Sequence, residues 1–126
     1  MKQEIITKQA PPPGPYSQGL RAGDYIFVSG EGPLDPATKA IVGTTIQEQT
    51  RRVLDNIKAI VEAAGATMDD VVKSTVHLLD IADFDAFNEV YVTYFGDPKP
   101  VRTTVQSVLW GGILVEIDVI VYKPLS

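Results

Sequence analysis

The stretch Ile113 to Tyr122, ILVEIDVIVY, constrains the fold more than any other part of the chain. Ile113, Val115, Ile117, Val119 and Val121 recur at every second position, the repeat of a β-strand with one apolar face. Glu116 and Asp118 share the opposite face. A strand of this kind has to be covered on its apolar side, and the segment from Thr45 to Ala64 has the pattern to do it. At 100° per residue, Ile46, Val53, Leu54, Ile57, Ile60, Val61 and Ala64 fall within about one third of a helix circumference. Thr44 or Thr45 suits the N-cap, and Gly65 suits the position just past the C-terminus.

The remaining segments read as further strands and one more helix. Gln3 to Thr7 is a short strand, ended by PPPGP, whose prolines have no N–H to give to a sheet. Tyr16 to Leu20 and Tyr25 to Ser29 are strand-like and are joined by RAGD, a hairpin turn with Gly23 free to take positive φ. Val71 to Leu79 is a strand, and Asp83 to Phe95 is a helix with Phe84, Phe87, Tyr91, Tyr94 and Phe95 on one face. Val101 to Leu109 is a strand hinged at WGG to the strand described above. The sum is an α+β domain: a mixed six-stranded sheet with two helices on one face. Its other face carries Leu114, Ile120, Val108 and Trp110, so self-association is expected to cover it.

Composition narrows the function. With 126 residues, 44% of them hydrophobic, residues 1–126 are expected to form a single domain. The formal net charge is −5, and the basic residues are scattered, which argues against nucleic acid as a partner. The absence of cysteine excludes thiolate nucleophiles and zinc–thiolate sites. MKQEIITKQAPPPGPY lacks the apolar core of a secretory signal, and no run approaches membrane-spanning length, so a cytoplasmic protein with no membrane partner is expected.

Several chemical patterns are absent. His77 is the only histidine and lies in an ordinary strand, where a structural or surface role is expected. GEGPLD lacks the third glycine of a dinucleotide fingerprint, and prolines follow where a helix should start. Ser29 is not in a nucleophile elbow and has no histidine to activate it. Three polar side chains need more explanation. Asn88 lies at the margin of the second helix's apolar face, either bonded to a neighbouring loop or lining a pocket. Glu116 sits in a strand too hydrophobic to be an exposed edge and is either a solvated carboxylate or an acid–base group. Arg102 is either a structural ion-pair partner of Glu116 or Asp118, or a guanidinium that grips a small carboxylate. A hairpin folded about Gly111 sets Arg102 opposite Ile120 and Glu116 opposite Gln106, so the two charges stand about four residues apart, roughly 13 Å at strand rise. Two unpaired charges on one open face then suggest a pocket completed at a subunit boundary.

The motifs APPPGPYSQGL, YIFVSGEGPLDPAT, QTRRVLDNIKAIVEAAGATMDDVVKSTVHLLDIADFDAFNEVYVTYF, KPVRTTV and LVEIDVIVY occur in order over nearly the whole chain. In them the sequence resembles the RidA family (reactive intermediate deaminase A, also called YjgF). The resemblance implies a chorismate-mutase-like two-layer fold assembled as a homotrimer, sheets inward, with sites in the clefts between subunits. It also implies hydrolysis of reactive enamines and imines such as 2-aminoacrylate to 2-keto acids and ammonia, with no metal or cofactor. By position, Arg102 matches the arginine that binds the substrate carboxylate, and Glu116 matches the acid associated with the attacking water. Tyr16, Ser29 and Asn88 match pocket positions, and Thr104 stands where the family often has cysteine. Two departures bear on substrate choice: SGEGP replaces the common SGQIP, introducing Glu31 and Gly32, and LWGGIL replaces a proline- and lysine-containing turn with one residue fewer. Other readings are a 2-aminomuconate-type deaminase and a non-catalytic trimeric ligand-binding or chaperone-like protein. Endoribonuclease activity fits poorly with net acidity and a lone histidine.

Overall fold

The computed structural model describes residues 1–125. Its strands are β1 (Lys2–Ile5), β2 (Gly19–Ala22), β3 (Tyr25–Glu31), β4 (Val71–Leu78), β5 (Val101–Gln106) and β6 (Val115–Tyr122), and its α-helices are α1 (Ile46–Ala63) and α2 (Phe84–Tyr91). They form one six-stranded sheet in the order β1-β2-β3-β6-β4-β5. Only β4 and β5 run parallel; every other neighbouring pair is antiparallel.

α1 forms where the apolar stripe predicts it. Thr45 caps it: the Thr45 hydroxyl accepts from the Glu48 N–H at 3.1 Å, and the Glu48 carboxylate accepts from the Thr45 N–H at 3.2 Å, which satisfies two N–H groups that the first turn leaves free. Gly65 ends it at φ 85°. Val53, Leu54, Ile57, Ile60 and Val61 are fully buried against Val115, Ile117, Val119 and Val121 of β6. α2 is shorter than the predicted helix, because 3-10 turns flank it at Ile81–Asp83 and Val92–Tyr94. Phe87, Tyr91 and Phe95 stack in succession, with ring centroids 5.3 and 4.7 Å apart. Tyr94 leaves that face, and its hydroxyl donates to Asp55 Oδ1 of α1 at 2.7 Å.

Two strand assignments change. The hairpin turn at Gly23 forms, with φ 61°, but the strand before it begins at Gly19, so Tyr16 lies in a loop. The cause is Gln18, which is 1% exposed. Its Oε1 accepts from the Thr7 N–H at 2.8 Å, and its Nε2 donates to the carbonyls of Thr7, Ala10 and Pro11 at 3.0, 3.3 and 2.8 Å. One amide thus does for this proline-rich loop what a ladder does for a strand.

The second change concerns β5 and β6, which do not form a hairpin. β4 lies between them, with Ser74 paired to Arg102 on one side and to Val119 on the other. β6, whose alternate residues are all buried, sits at the sheet centre and bonds to β3 and β4. β5, with Val101 66% exposed, takes the edge. The connection β4–α2–β5 is a parallel crossover unit, which requires a helix-length link where antiparallel neighbours do not.

The face away from the helices carries Tyr25, Phe27, Ile120, Tyr122, Val101 and Val105. Phe27 is paired with Ile120 and Tyr25 with Tyr122, and Tyr25, Phe27, Tyr122, Val101 and Val105 are all exposed. Of the residues expected on that face only Ile120 lies in the sheet: β5 ends at Gln106 and β6 begins at Val115, so Val108 and Trp110 are exposed in the connection between them and Leu114, in the same connection, packs against the core.

The Gln18 network generates a test. Gln18→Glu keeps the shape but turns oxygen lone pairs toward three carbonyls, so it should cost about 2–4 kcal/mol. Urea unfolding measures that cost, and proteolysis between residues 8 and 16 should accelerate; unchanged stability would show that the network is dispensable.

Candidate active site

The residues singled out from the sequence fall into two groups on opposite faces of the sheet. The first surrounds Arg102. Its neighbour in register, Ser74, is fully buried and bonds through Oγ to the Tyr91 hydroxyl of α2 at 2.6 Å, so this register position points toward the helices. Arg102 Nη1 donates to Asn88 Oδ1 at 2.8 Å. Its guanidinium carbon lies 4.7, 5.4 and 5.7 Å from the ring centroids of Tyr91, Phe84 and Phe87, within the range of cation–π attraction. Among the described residues the guanidinium has no carboxylate partner. Two residues along the same face of β5, Thr104 Oγ1 is buried with no hydrogen-bond partner. Burial raises the Tyr91 hydroxyl pKa, against smaller opposing effects of Ser74 and Arg102, so at neutral pH the ring faces the cation as an uncharged phenol.

The second group surrounds Glu116, which pairs with His77 and points to the open face. A cleft of about 380 Å³ is lined by Tyr16, Ser29, Gly30, Trp110 and Glu116. Ser29 Oγ donates to the Ser17 carbonyl, which ties β3 to the Tyr16 loop. Trp110 Nε1 donates to Glu116 Oε1 at 3.1 Å. A Cβ on Gly30 would lie 2.8 Å from Glu116 Oε2, so glycine is what lets this carboxylate lie against β3. Tyr16, Gly30 and Trp110 also border an adjoining cavity of about 250 Å³, which reaches Glu31, Gly32 and Lys39. Glu31 is 6% exposed, and burial, with the charge of Glu116 adding to it, pushes its pKa up to about 8. Burial also raises the Asp118 carboxyl; Glu116 adds to the rise, while His77 and Lys73 oppose it.

Within one protomer, therefore, Asn88, Arg102 and Thr104 come together, as do Tyr16, Ser29 and Glu116, but the two sets do not meet. This corrects the expectation that Arg102 and Glu116 share an open face. In register they are two strands and three residues apart, roughly 14 Å in the plane of the sheet, and they project to opposite sides of it. The aromatic cage around Arg102 was read from the sequence only as an apolar helix face. A β–α–β reading of residues 71–106 would have placed those rings over β5 and revealed it.

Glu31 generates a prediction. Its carboxyl titrates near 4.5 when unfolded and at about 8 when folded, so the unfolded chain ionises first. The contribution of Glu31 to stability is fully present below the unfolded value, is lost progressively as pH rises from about 4.5 to about 8, and changes no further above that. Glu31→Gln removes that loss: between pH 4 and pH 9, at fixed protein concentration, the variant should gain up to roughly 5 kcal/mol on the wild type. Unfolding curves that stay parallel across this range would refute the assignment.

The model of one known family, described as endoribonuclease L-PSP, matches residues 7–123. A RutC family protein of Saccharolobus solfataricus is 54% identical over 125 residues, covering 98% of this chain and 99% of that one. The chloroplastic Reactive Intermediate Deaminase A of Arabidopsis thaliana is 41% identical over 108 residues, 84% of this chain and 58% of that protein. The crystal structure of RidA from the Antarctic bacterium Psychrobacter sp. superposes with a TM-score of 0.91 at 42% identity, covering 95% of this chain and 98% of that one. With the six-stranded sheet and paired helices in the same arrangement as that structure, the chain belongs to the RidA (YjgF) family.

Proposed function

We propose that the protein is a deaminase that hydrolyses reactive 2-imino acids, such as the imine form of 2-aminoacrylate, to 2-keto acids and ammonia. The observation that carries this reading is Arg102: a guanidinium caged by three rings, bonded to one neutral amide oxygen and facing no carboxylate among the described residues. A half-buried cation with no charged partner favours an anionic ligand, and two parallel N–H donors match a carboxylate. The unpartnered Thr104 hydroxyl offers a further hydrogen bond beside it. The Arabidopsis and Psychrobacter relatives, named as deaminase A and RidA, support the same class of chemistry.

In the proposed reaction Arg102 holds the substrate carboxylate, which fixes the position of C2. Glu116 of the partner subunit orients a water and takes its proton as the oxygen adds to the C=N carbon. Glu116 returns that proton to the imine nitrogen to give the carbinolamine; as the C–N bond breaks, the hydroxyl oxygen becomes the keto oxygen and its proton passes by way of the same carboxylate to the departing nitrogen, which leaves as ammonia. Tyr16 and Ser29 border the cleft around Glu116. A subunit boundary is required because Arg102 and Glu116 lie on opposite faces of one sheet, and the exposed apolar residues of the open face suit a homotrimer packed sheet to sheet. Free imines already hydrolyse in water, so positioning and one base suffice. A net charge of −5 gives little affinity for a phosphate backbone, which counts against the nuclease that the family description names.

With 2-aminoacrylate generated in situ by a dehydratase, the wild type should accelerate pyruvate and ammonia release. Arg102→Ala should lose about 100- to 10,000-fold in kcat/KM, the value of two charge-assisted hydrogen bonds. Equal rates for the two proteins, or no acceleration by either, would sink the proposal and favour a non-catalytic binding role.

A further inference from the structure

Trp110 is the only tryptophan of the chain, and a backbone turn, a packing slot and a side-chain hydrogen bond place its indole over Glu116. The first is the turn that carries it. Gly111 and Gly112 have φ of 64° and 85°, and the Ile113 N–H donates to the Trp110 carbonyl at 3.2 Å. Two successive left-handed residues closed by such a bond make a turn of the mirror-image type, which glycine adopts without strain. The second is the space the ring occupies. A Cβ on Gly32 would lie 3.2 Å from Trp110 Cζ2 and 3.4 Å from Cη2, closer than side-chain packing normally allows. The third is the hydrogen bond from Nε1 to Glu116 Oε1 at 3.1 Å. An indole that merely covered apolar surface would need neither the slot at Gly32 nor an acceptor for its N–H.

We propose that Trp110 is a positioning residue for Glu116: its N–H fixes Oε1, leaving Oε2 to meet the attacking water, and Gly32 provides the slot that the ring needs. This inference rests on the reading of Glu116 as the water-activating carboxylate. The titratable groups around Glu116 are Glu31 of β3, Asp118 of its own strand and His77 of β4, with Lys39 at the adjoining cavity; among the described residues none of them hydrogen-bonds to it, and Trp110 Nε1 does. Glu31 and Asp118 are acids and cannot supply a cationic donor. His77 Nδ1 is engaged with Ser107 Oγ at 2.8 Å. The indole is the side-chain donor that the structure gives this carboxylate. Positioned in this way, Glu116 keeps one orientation whether or not substrate is present, so the benefit falls on the chemical step rather than on substrate binding.

Three replacements test the assignment. Trp110→Phe removes the N–H and shortens the ring. Replacing the sole tryptophan by its benzothienyl analogue keeps the ring shape and removes only the N–H, so it separates hydrogen bonding from packing if the Phe variant folds poorly. Glu116→Gln tests the underlying reading. Both Trp110 replacements should lower kcat about tenfold, the value of a hydrogen bond to a charged group, and leave KM within twofold. Glu116→Gln should abolish turnover and shift the emission maximum of Trp110, because the acceptor loses its charge. If Glu116→Gln is inactive while the benzothienyl protein keeps wild-type kcat, the positioning role is overturned and the role of Glu116 stands. If Glu116→Gln is fully active, both fall. Emission spectra unchanged between wild type and Glu116→Gln would remove the contact itself, whatever the activity.

Discussion

The site is organised by one cation that has no anionic partner among the described residues of the protomer. Removing a guanidinium from water is unfavourable unless its hydrogen bonds and charge are matched. Arg102 has the faces of Phe84, Phe87 and Tyr91 and the oxygen of Asn88, all of them uncharged at neutral pH. These contacts orient the fork without neutralising it. The parallel pairing of β4 and β5 makes this possible, because the crossover through α2 lays the three rings over the strand that carries Arg102. β5 is also the sheet edge, so the guanidinium sits where a ligand or a second protomer can approach it.

The sequence carried the parts of the fold that depend on local periodicity. The alternation of β6 and the stripe of α1 are each visible within a dozen or so residues, and the Thr45 cap and the glycine at 65 mark their own positions. Pairing between distant segments was less legible. WGG between two strand-like runs has the form of a hairpin turn, and Gly111 and Gly112 do make a tight turn, yet the strands it joins are separated by β4. What decides the order is burial: β6 is apolar enough to need bonded neighbours on both edges, and Val101 and Val105 mark β5 as the more exposed strand. Once that order was misread, the face of Arg102 was misread too. The identity of the candidate residues does not depend on it, since residue type and family position mark Arg102, Glu116, Tyr16, Ser29, Asn88 and Thr104.

Glu31, Gly32 and Trp110 all border one cavity, next to the cleft of Glu116. Gly32 and Trp110 are linked by volume: the small residue on β3's continuation and the large one before β6 occupy complementary space. Glu31 is linked to Glu116 by charge. A change at one of these positions therefore alters the environment of the others, and substitutions among them should combine non-additively.

Taken alone, each half of the candidate site is electrostatically incomplete. Among the described residues Arg102 has no anionic partner, while Glu31, Glu116 and Asp118 crowd negative charge into one region, where burial and the charge of Glu116 hold Glu31 and Asp118 toward their neutral forms. No rearrangement within a protomer brings the halves together, because the sheet itself lies between them. Packing of one open face against the edge strand of another copy would do so, and it would cover Phe27, Val101 and Val105 at the same time. Burial of apolar surface would then supply the affinity, and the opposed charges would set the register in which copies meet. The proposed substrate, with a carboxylate at one end and an electrophilic carbon beside it, would match the resulting cleft, since the cation would take the carboxylate and the acidic half would be left to manage water and protons.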